Sequence, residues 1–247
     1  MDKKNTYIVV FLADLQDAPK STAKEELTKS FGKYIDEGLL TVIETYPEYY
    51  PLTNTKKKYS DSSSRRTWRS KENVDTTFIM CYCKDFSQYY IHLEDDVISS
   101  PNFLPKLQDF INTRDHTFWP MLDVAVQGSI AKVYHSQDLG NLASYFYLMY
   151  DEMPIDWLME QWRQIKELKP ETRLPRASLF QHIGDRSSLQ EKGRQMKHTH
   201  ITVLQSRSLC PADEVMKSSK VTKLGRYPQT QRKYVKISNG RNQDETE

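Results

Sequence analysis

Tyr7-Ile8-Val9-Val10-Phe11-Leu12 is a continuous apolar run rich in β-branched residues, the pattern of a strand buried on both faces. A helical stretch from about Ser21 to Glu37 follows and places Leu27, Phe31, Tyr34 and Ile35 near one face. Gly38 stands where glycine commonly ends a helix. Leu39-Leu40-Thr41-Val42-Ile43 then reads as a second strand. Strand, helix and strand in this order predict a right-handed parallel crossover. That commits the start of the chain to an α/β layer.

Further elements follow the same alternation. From Tyr46 to Arg66 the composition shifts to Pro, Tyr, Lys and Ser, which reads as loop. Trp68 to Asp75 predicts the opening of a helix that leads into a strand over Phe78–Cys83, with Cys81 and Cys83 on one buried side. Tyr89–Leu93 predicts another strand. A helix begins at Pro101–Pro105 and runs to about Ile111, since proline fits a first helical turn. Trp119–Val126 and Ile130–Tyr134 read as strands, Asp138–Tyr150 and Pro154–Leu168 as helices. Apolar patterning fades after about Lys192, so residues 1–205 are expected to form the domain and 206–247 a poorly structured tail. The whole is an α/β sandwich with a mostly parallel sheet flanked by helices.

Composition narrows the function classes. The net charge of +2 over 247 residues leaves only local basic excess, at Lys56–Lys58 and Arg65–Arg66. One short basic loop is not a basic face, which argues against nucleic acid. Three cysteines, Cys81, Cys83 and Cys210, make no disulfide framework and no metal-like spacing. No run approaches the ~18 apolar residues of a membrane span. Met1-Asp2-Lys3-Lys4-Asn5 lacks a secretory apolar segment, so the chain is expected in the cytoplasm if Met1 is the true start.

The chemistry concentrates where the strand Tyr89–Leu93 runs into Glu94-Asp95-Asp96. A strand delivers such carboxylates to the C-terminal edge of a sheet, where open α/β folds bind ligands. Clustered anions need a counter-charge, and a hard divalent cation held by one or two carboxylates plus substrate phosphates supplies it. A solvated acidic turn is the other reading of these three residues. There is no glycine-rich phosphate loop, so a nucleotide would be held through metal and side chains.

Three segments in order carry a resemblance. Tyr90-Ile91-His92-Leu93-Glu94-Asp95-Asp96, Pro154-Ile155-Asp156-Trp157-Leu158 and Ser178-Leu179-Phe180-Gln181-His182-Ile183-Gly184 resemble the N-acetylglucosaminyltransferase IV family, glycosyltransferase family 54. Tyr49-Tyr50-Pro51-Leu52 and Trp68–Asp75 support it, and the resemblance covers about residues 6–216. It implies a GT-A-like, Rossmann-related fold and a place in the Golgi. It also implies transfer of N-acetylglucosamine from UDP-N-acetylglucosamine, in β1,4 linkage, to the α1,3-mannose arm of an N-glycan. On this resemblance Glu94, Asp95 and Asp96 are the metal residues, Asp96 foremost. Manganese suits a site of carboxylate and phosphate oxygens. Arg69, Lys71, Asn73, Asp75 and His182 fall to the donor, with His182 also within reach of a metal. Asp156 and Trp157 fall to the acceptor. Read without the resemblance, the same residues fit helix capping, surface charge, a core tryptophan and a core histidine.

The chain also departs from the family pattern. The family has a membrane anchor and stem, a strand ahead of the one matching Tyr7–Leu12, and in its longer members a C-terminal lectin-like domain. None of these is expected here, so the first strand of the family domain counts as missing. Where the family has glycine-x-histidine-serine-serine, this chain has Gly184-Asp185-Arg186-Ser187-Ser188. Lys197-His198-Thr199-His200 stands where the family has an aspartate-bearing stretch. The catalytic base is therefore unassigned, and weak or absent transfer is expected. The rival to an enzyme is a catalytically inactive member, a pseudoenzyme that binds or regulates another Golgi glycosyltransferase.

Overall fold

The computed structural model describes residues 6–51, 59–114, 117–125, 129–166, 177–184 and 234–239. The elements are β1 (Thr6–Leu12), α1 (Asp17–Asp36), β2 (Leu40–Glu44), α2 (Ser63–Cys83), β3 (Tyr89–Glu94), β4 (Val97–Ser99) and α3 (Phe103–Asn112). Then come β5 (Leu122–Asp123), β6 (Ala131–His135), α4 (Leu139–Leu148), α5 (Ile155–Lys166), β7 (Phe180–His182) and β8 (Tyr234–Asn239). A six-stranded sheet has the order β2-β1-β8-β3-β6-β5, and β4 pairs with β7 in a separate ribbon.

The predicted crossover is present: β1 and β2 are parallel, with Ile8 opposite Leu40 and Leu12 opposite Glu44. The sheet as a whole is mixed rather than mostly parallel. Among the described pairings of this sheet, β1–β2 is the parallel one, and β1–β8, β3–β8, β3–β6 and β5–β6 are antiparallel. β1 and β3 nevertheless point the same way, because each is antiparallel to β8. The strand Tyr234–Asn239 arises inside the stretch expected to be loose. Its Tyr-Val-Lys-Ile composition favours strands, and the edges of β1 and β3 supply partners on both sides. The predicted domain end at 205 and the remainder of the tail lie outside the described residues.

The expected strand Phe78–Cys83 is corrected to helix. It forms the last turns of α2, whose N-terminus is capped by the Ser62 hydroxyl accepting from the Arg65 N–H at 3.2 Å. Ile79, Met80 and Cys83 follow a helical spacing and are completely buried, whereas Cys81 is exposed, so the two thiols do not share a side. The short apolar run has no period of its own that separates helix from strand. Among the described residues of the expected strand Trp119–Val126, the strand is Leu122–Asp123, paired with β6.

Alternation along the strands makes a three-layer sandwich. Ile8, Val10, Leu12, Ile91, Leu93 and Val133 face α1 and α3, meeting Leu27, Phe31, Leu107 and Phe110. Val9, Phe11, Tyr90 and Tyr134 face α2, α4 and α5, meeting Ile79, Leu142, Phe146 and Leu158. A buried ionic bridge fixes α5 to the sheet: the Asp123 carboxylate accepts from Lys132 Nζ and, at 2.6 Å, from Arg163 Nη1. No described helix is long and apolar enough to cross a membrane.

Candidate metal and substrate site

β3 ends at Glu94, and the chain turns through Asp95 and Asp96 into β4. The β4–β7 ribbon sets Val97 opposite His182, and the Ile183 N–H donates to the Asp96 carbonyl at 2.8 Å. This ribbon brings residues almost ninety positions apart together. His182 Nε2 lies 3.0 Å from Asp96 Oδ2 and 3.9 Å from Glu94 Oε2. One ligand atom from each of Glu94, Asp96 and His182 falls within 4.8 Å of the others. Glu94 is oriented by the Ser129 hydroxyl, which donates to its Oε1 at 2.6 Å.

The donor set fits a divalent cation. Two carboxylates and an imidazole are oxygen and nitrogen ligands of the kind manganese accepts. Asp96 Oδ1 is buried with no hydrogen-bond partner among the described residues, an arrangement that burial alone makes unfavourable. Gly184 completes the cradle: a Cβ there would meet Asp96 Oδ2 first, and would come 2.8 Å from His182 Cε1 and 3.0 Å from Asp96 Cγ. Of the three acidic residues predicted from sequence, Glu94 and Asp96 belong to this group. Asp95 is exposed in the turn and lies outside it, while His182 joins it.

The four α2 residues assigned to the donor divide between two faces. Lys71 and Asp75, one turn apart, face the end of β1. Lys71 Nζ donates to the Ala13 carbonyl at 2.6 Å and to Asp75 Oδ2 at 2.7 Å. The Tyr50 hydroxyl donates to Asp75 Oδ1 at 2.5 Å. Burial pushes the Asp75 carboxyl up from its usual range, against the opposing charge of Lys71. Burial and the neighbouring Asp75 charge also raise the Tyr50 hydroxyl. Ala13 follows β1 and Glu94 ends β3, so this cluster and the metal group occupy the same edge of the sheet.

Arg69 and Asn73 point instead to the turn between α4 and α5. Arg69 Nη1 pairs with Asp61 Oδ2 at 2.7 Å, and its Nη2 donates to the Asp151 carbonyl at 3.4 Å. Asn73 Nδ2 donates to the carbonyls of Tyr150 and Met153 at 2.7 and 2.8 Å. Both side chains are essentially completely buried, so they brace α2 against the start of α5. Asp156 and Trp157 occupy the first turn of α5, both exposed, with Asp156 Oδ1 accepting from the Trp157 N–H at 3.0 Å.

Sequence reasoning did not reach Tyr50 or Gly184 as functional positions, nor His182 as a partner of Glu94. Tyr50 and Gly184 stand inside segments that carry the resemblance, but their roles follow from pairings distant in the chain.

The family model described as the MGAT4 conserved region matches residues 1–201. The chain is 38% identical over 195 residues to alpha-1,3-mannosyl-glycoprotein 4-beta-N-acetylglucosaminyltransferase C of Sus scrofa, covering 78% of this chain and 41% of that protein. It is 34% identical over 205 residues to the A form of Bos taurus, covering 77% and 38%. The B form of Homo sapiens is 31% identical over 210 residues, covering 79% and 38%. The chain thus spans about two-fifths of the length of these curated relatives. No solved structure matches.

Proposed function

The chain belongs to the MGAT4 conserved-region family, and from that premise we propose that it is an N-acetylglucosaminyltransferase-like protein of N-glycan branching with a GT-A-like fold. The substrates are UDP-N-acetylglucosamine and an N-glycan, and the linkage is β1,4 to the α1,3-mannose arm. Membership of this family supports a place in the Golgi. The observation that carries this reading is the convergence of Glu94, Asp96 and His182 around the Gly184 cradle, at the strand edge where α/β folds bind ligands.

Glu94, Asp96 and His182 would hold manganese, with Asp95 exposed between the first two in the turn. A bound divalent cation neutralises charge on the leaving diphosphate. Lys71, Asp75 and Tyr50 close the adjoining end of β1, in position for the nucleoside. The buried bonds of Arg69 and Asn73 fix α2, and with it Lys71 and Asp75, at the height of the sheet edge. Asp156 and Trp157 offer the acceptor a carboxylate and an indole face. Holding two substrates in one geometry is the largest service such a site performs, since orientation can supply ~7–11 kcal/mol.

A second reading is a member that binds without transferring and acts through another glycosyltransferase. Arg186 at the family's histidine position favours it, as does the commitment of Arg69 and Asn73 to internal bonds. The test is transfer of labelled N-acetylglucosamine from its UDP donor to a biantennary N-glycan with manganese. A transferase gives β1,4 product that Asp96→Ala abolishes. Metal-dependent donor binding without product supports the second reading. Absence of both product and metal-dependent donor binding overturns the transferase reading and favours a regulatory role.

A further inference from the structure

Tyr59 and Trp157 stand apart from the metal group as an aromatic pair. They are 57% and 54% exposed, and their rings meet edge to face with centroids 5.8 Å apart. One comes from the turn before α2, the other from the first turn of α5. Buried Arg69 joins the two segments. Its guanidinium lies 5.4 Å from the Tyr59 ring centre, and its two branches reach Asp61 beside Tyr59 and Asp151 ahead of α5.

The backbone supports a built feature. Tyr59 and Ser60 are consecutive non-glycine residues in the left-handed region, at φ 54° and 55°. Residues of this kind persist only where the surroundings hold them. The next residue, Asp61, is anchored to α2, accepting from Arg65 Nε at 3.1 Å and Arg69 at 2.7 Å through its carboxylate, and from Arg66 at 2.7 Å through its carbonyl. The pair also lies on the relevant side of the molecule. Lys71 is level with the end of β1, so the eight residues of α2 that precede it, about 12 Å of helix, run outward past the edge that carries Glu94 and Asp96.

We propose that Tyr59 and Trp157 form the aromatic corner of an acceptor-sugar subsite, one ring under the sugar face and the other at its edge, with the exposed Asp156 carboxylate accepting hydroxyls beside it. The proposal rests on the glycan-directed function above for its choice of ligand. A pyranose presents an apolar C–H face and a rim of hydroxyls, which matches two aromatic rings with a carboxylate at their side. Rigid amphipathic rings provide such contact with little side-chain ordering. A nucleotide fits less well, because Asp156 opposes its phosphates and the guanidinium of Arg69 is already committed to Asp61 and Asp151.

The experiment titrates a free biantennary N-glycan into the whole chain by calorimetry, with neither metal nor sugar nucleotide present. Wild type is expected to bind. Tyr59→Ala and Trp157→Ala should each weaken binding about tenfold or more, and Tyr59→Phe, which keeps the ring, should stay within about twofold. An unchanged melting temperature for Tyr59→Ala would separate lost contact from lost structure. Absence of glycan binding by wild type, or alanine variants that bind as wild type does, overturns the subsite. UDP binding that Tyr59→Ala abolishes, without glycan binding, reassigns the rings to a base and also overturns it. Glycan binding through this pair by a chain that never transfers sugar leaves the subsite standing and removes only the transferase reading.

Discussion

Replacing Gly184 by alanine should disable the metal group while leaving the fold intact. The added Cβ would sit 2.8 Å from His182 Cε1 and 3.0 Å from Asp96 Cγ. Carbon atoms pack at about 3.5–4.0 Å. The imidazole must therefore retreat by roughly 0.7 Å and the carboxylate, whose Oδ2 is the nearest atom of all, by more than that, or the ribbon must open. Metal–ligand distances tolerate about 0.2 Å, so at least one of the two ligands leaves its position. Disturbing the support of a metal ligand typically lowers affinity about 10–100-fold, or ~1.4–2.7 kcal/mol. The metal-free fold should change little. The obstructing atoms are ends of side chains that can swing aside, and glycine's lost backbone freedom in the unfolded chain offsets part of the crowding, by about 0.4–1 kcal/mol. Titration of manganese by calorimetry or electron spin resonance, with melting curves recorded without metal, reads both quantities. Manganese affinity within twofold of wild type would refute the cradle. A metal-free fold destabilised by several kcal/mol would show that Gly184 serves packing instead.

Three further substitutions test the surrounding structure. Arg69→Met leaves the half-buried Asp61 carboxylate with Arg65 but without its buried partner and should lower the unfolding free energy by about 1–3 kcal/mol; a loss below about 0.5 kcal/mol would show that the pair is dispensable. Lys236→Pro removes a backbone donor from β8, opposite Val9 and His92, and should cost about 1–3 kcal/mol, whereas an unchanged denaturation midpoint would place β8 outside the sheet. Asp75 has a raised carboxyl pKa, so the fold holds that proton more tightly than the unfolded chain. Its contribution is present below the usual 3.8 and is lost as pH rises through the folded value. The stability of wild type relative to Asp75→Asn should therefore fall above about pH 4, by up to ~1.4 kcal/mol per pH unit, and then level off. Urea unfolding of both proteins from about pH 4 to about pH 7 measures the difference, and a pH-independent difference contradicts the raised value.

Local pattern carried much of the architecture. The β1–α1–β2 unit was legible because an apolar run, a helical face and Gly38 agree at successive scales. β3 and its acidic end were legible for the same reason. The pattern failed at Phe78–Cys83, where six mostly apolar residues fit either period and the outcome is decided by the packing of Ile79, Met80 and Cys83 against the sheet. It failed at β4, a three-residue strand with no periodicity to detect, and could not show that the strand-like run before His182 would pair with it. That second failure hid the most consequential contact, Asp96 with His182, which exists only because Val97 pairs with His182 across the ribbon. Arg69 and Asn73 stood in a resembling segment beside Lys71 and Asp75, yet helical geometry turns the two pairs to different faces. Tyr59 lay in a loop whose composition showed only that it was a loop.

Calorimetric titration of UDP-N-acetylglucosamine into the chain tests the central claim most directly, run with manganese, with a chelator, and with Asp96→Ala in manganese. Binding is expected in the first case and none in the other two, because the diphosphate would be recognised through a cation held at Glu94, Asp96 and His182. Equal binding in all three would contradict it, showing that the acidic end of β3 plays no part in recognising the donor.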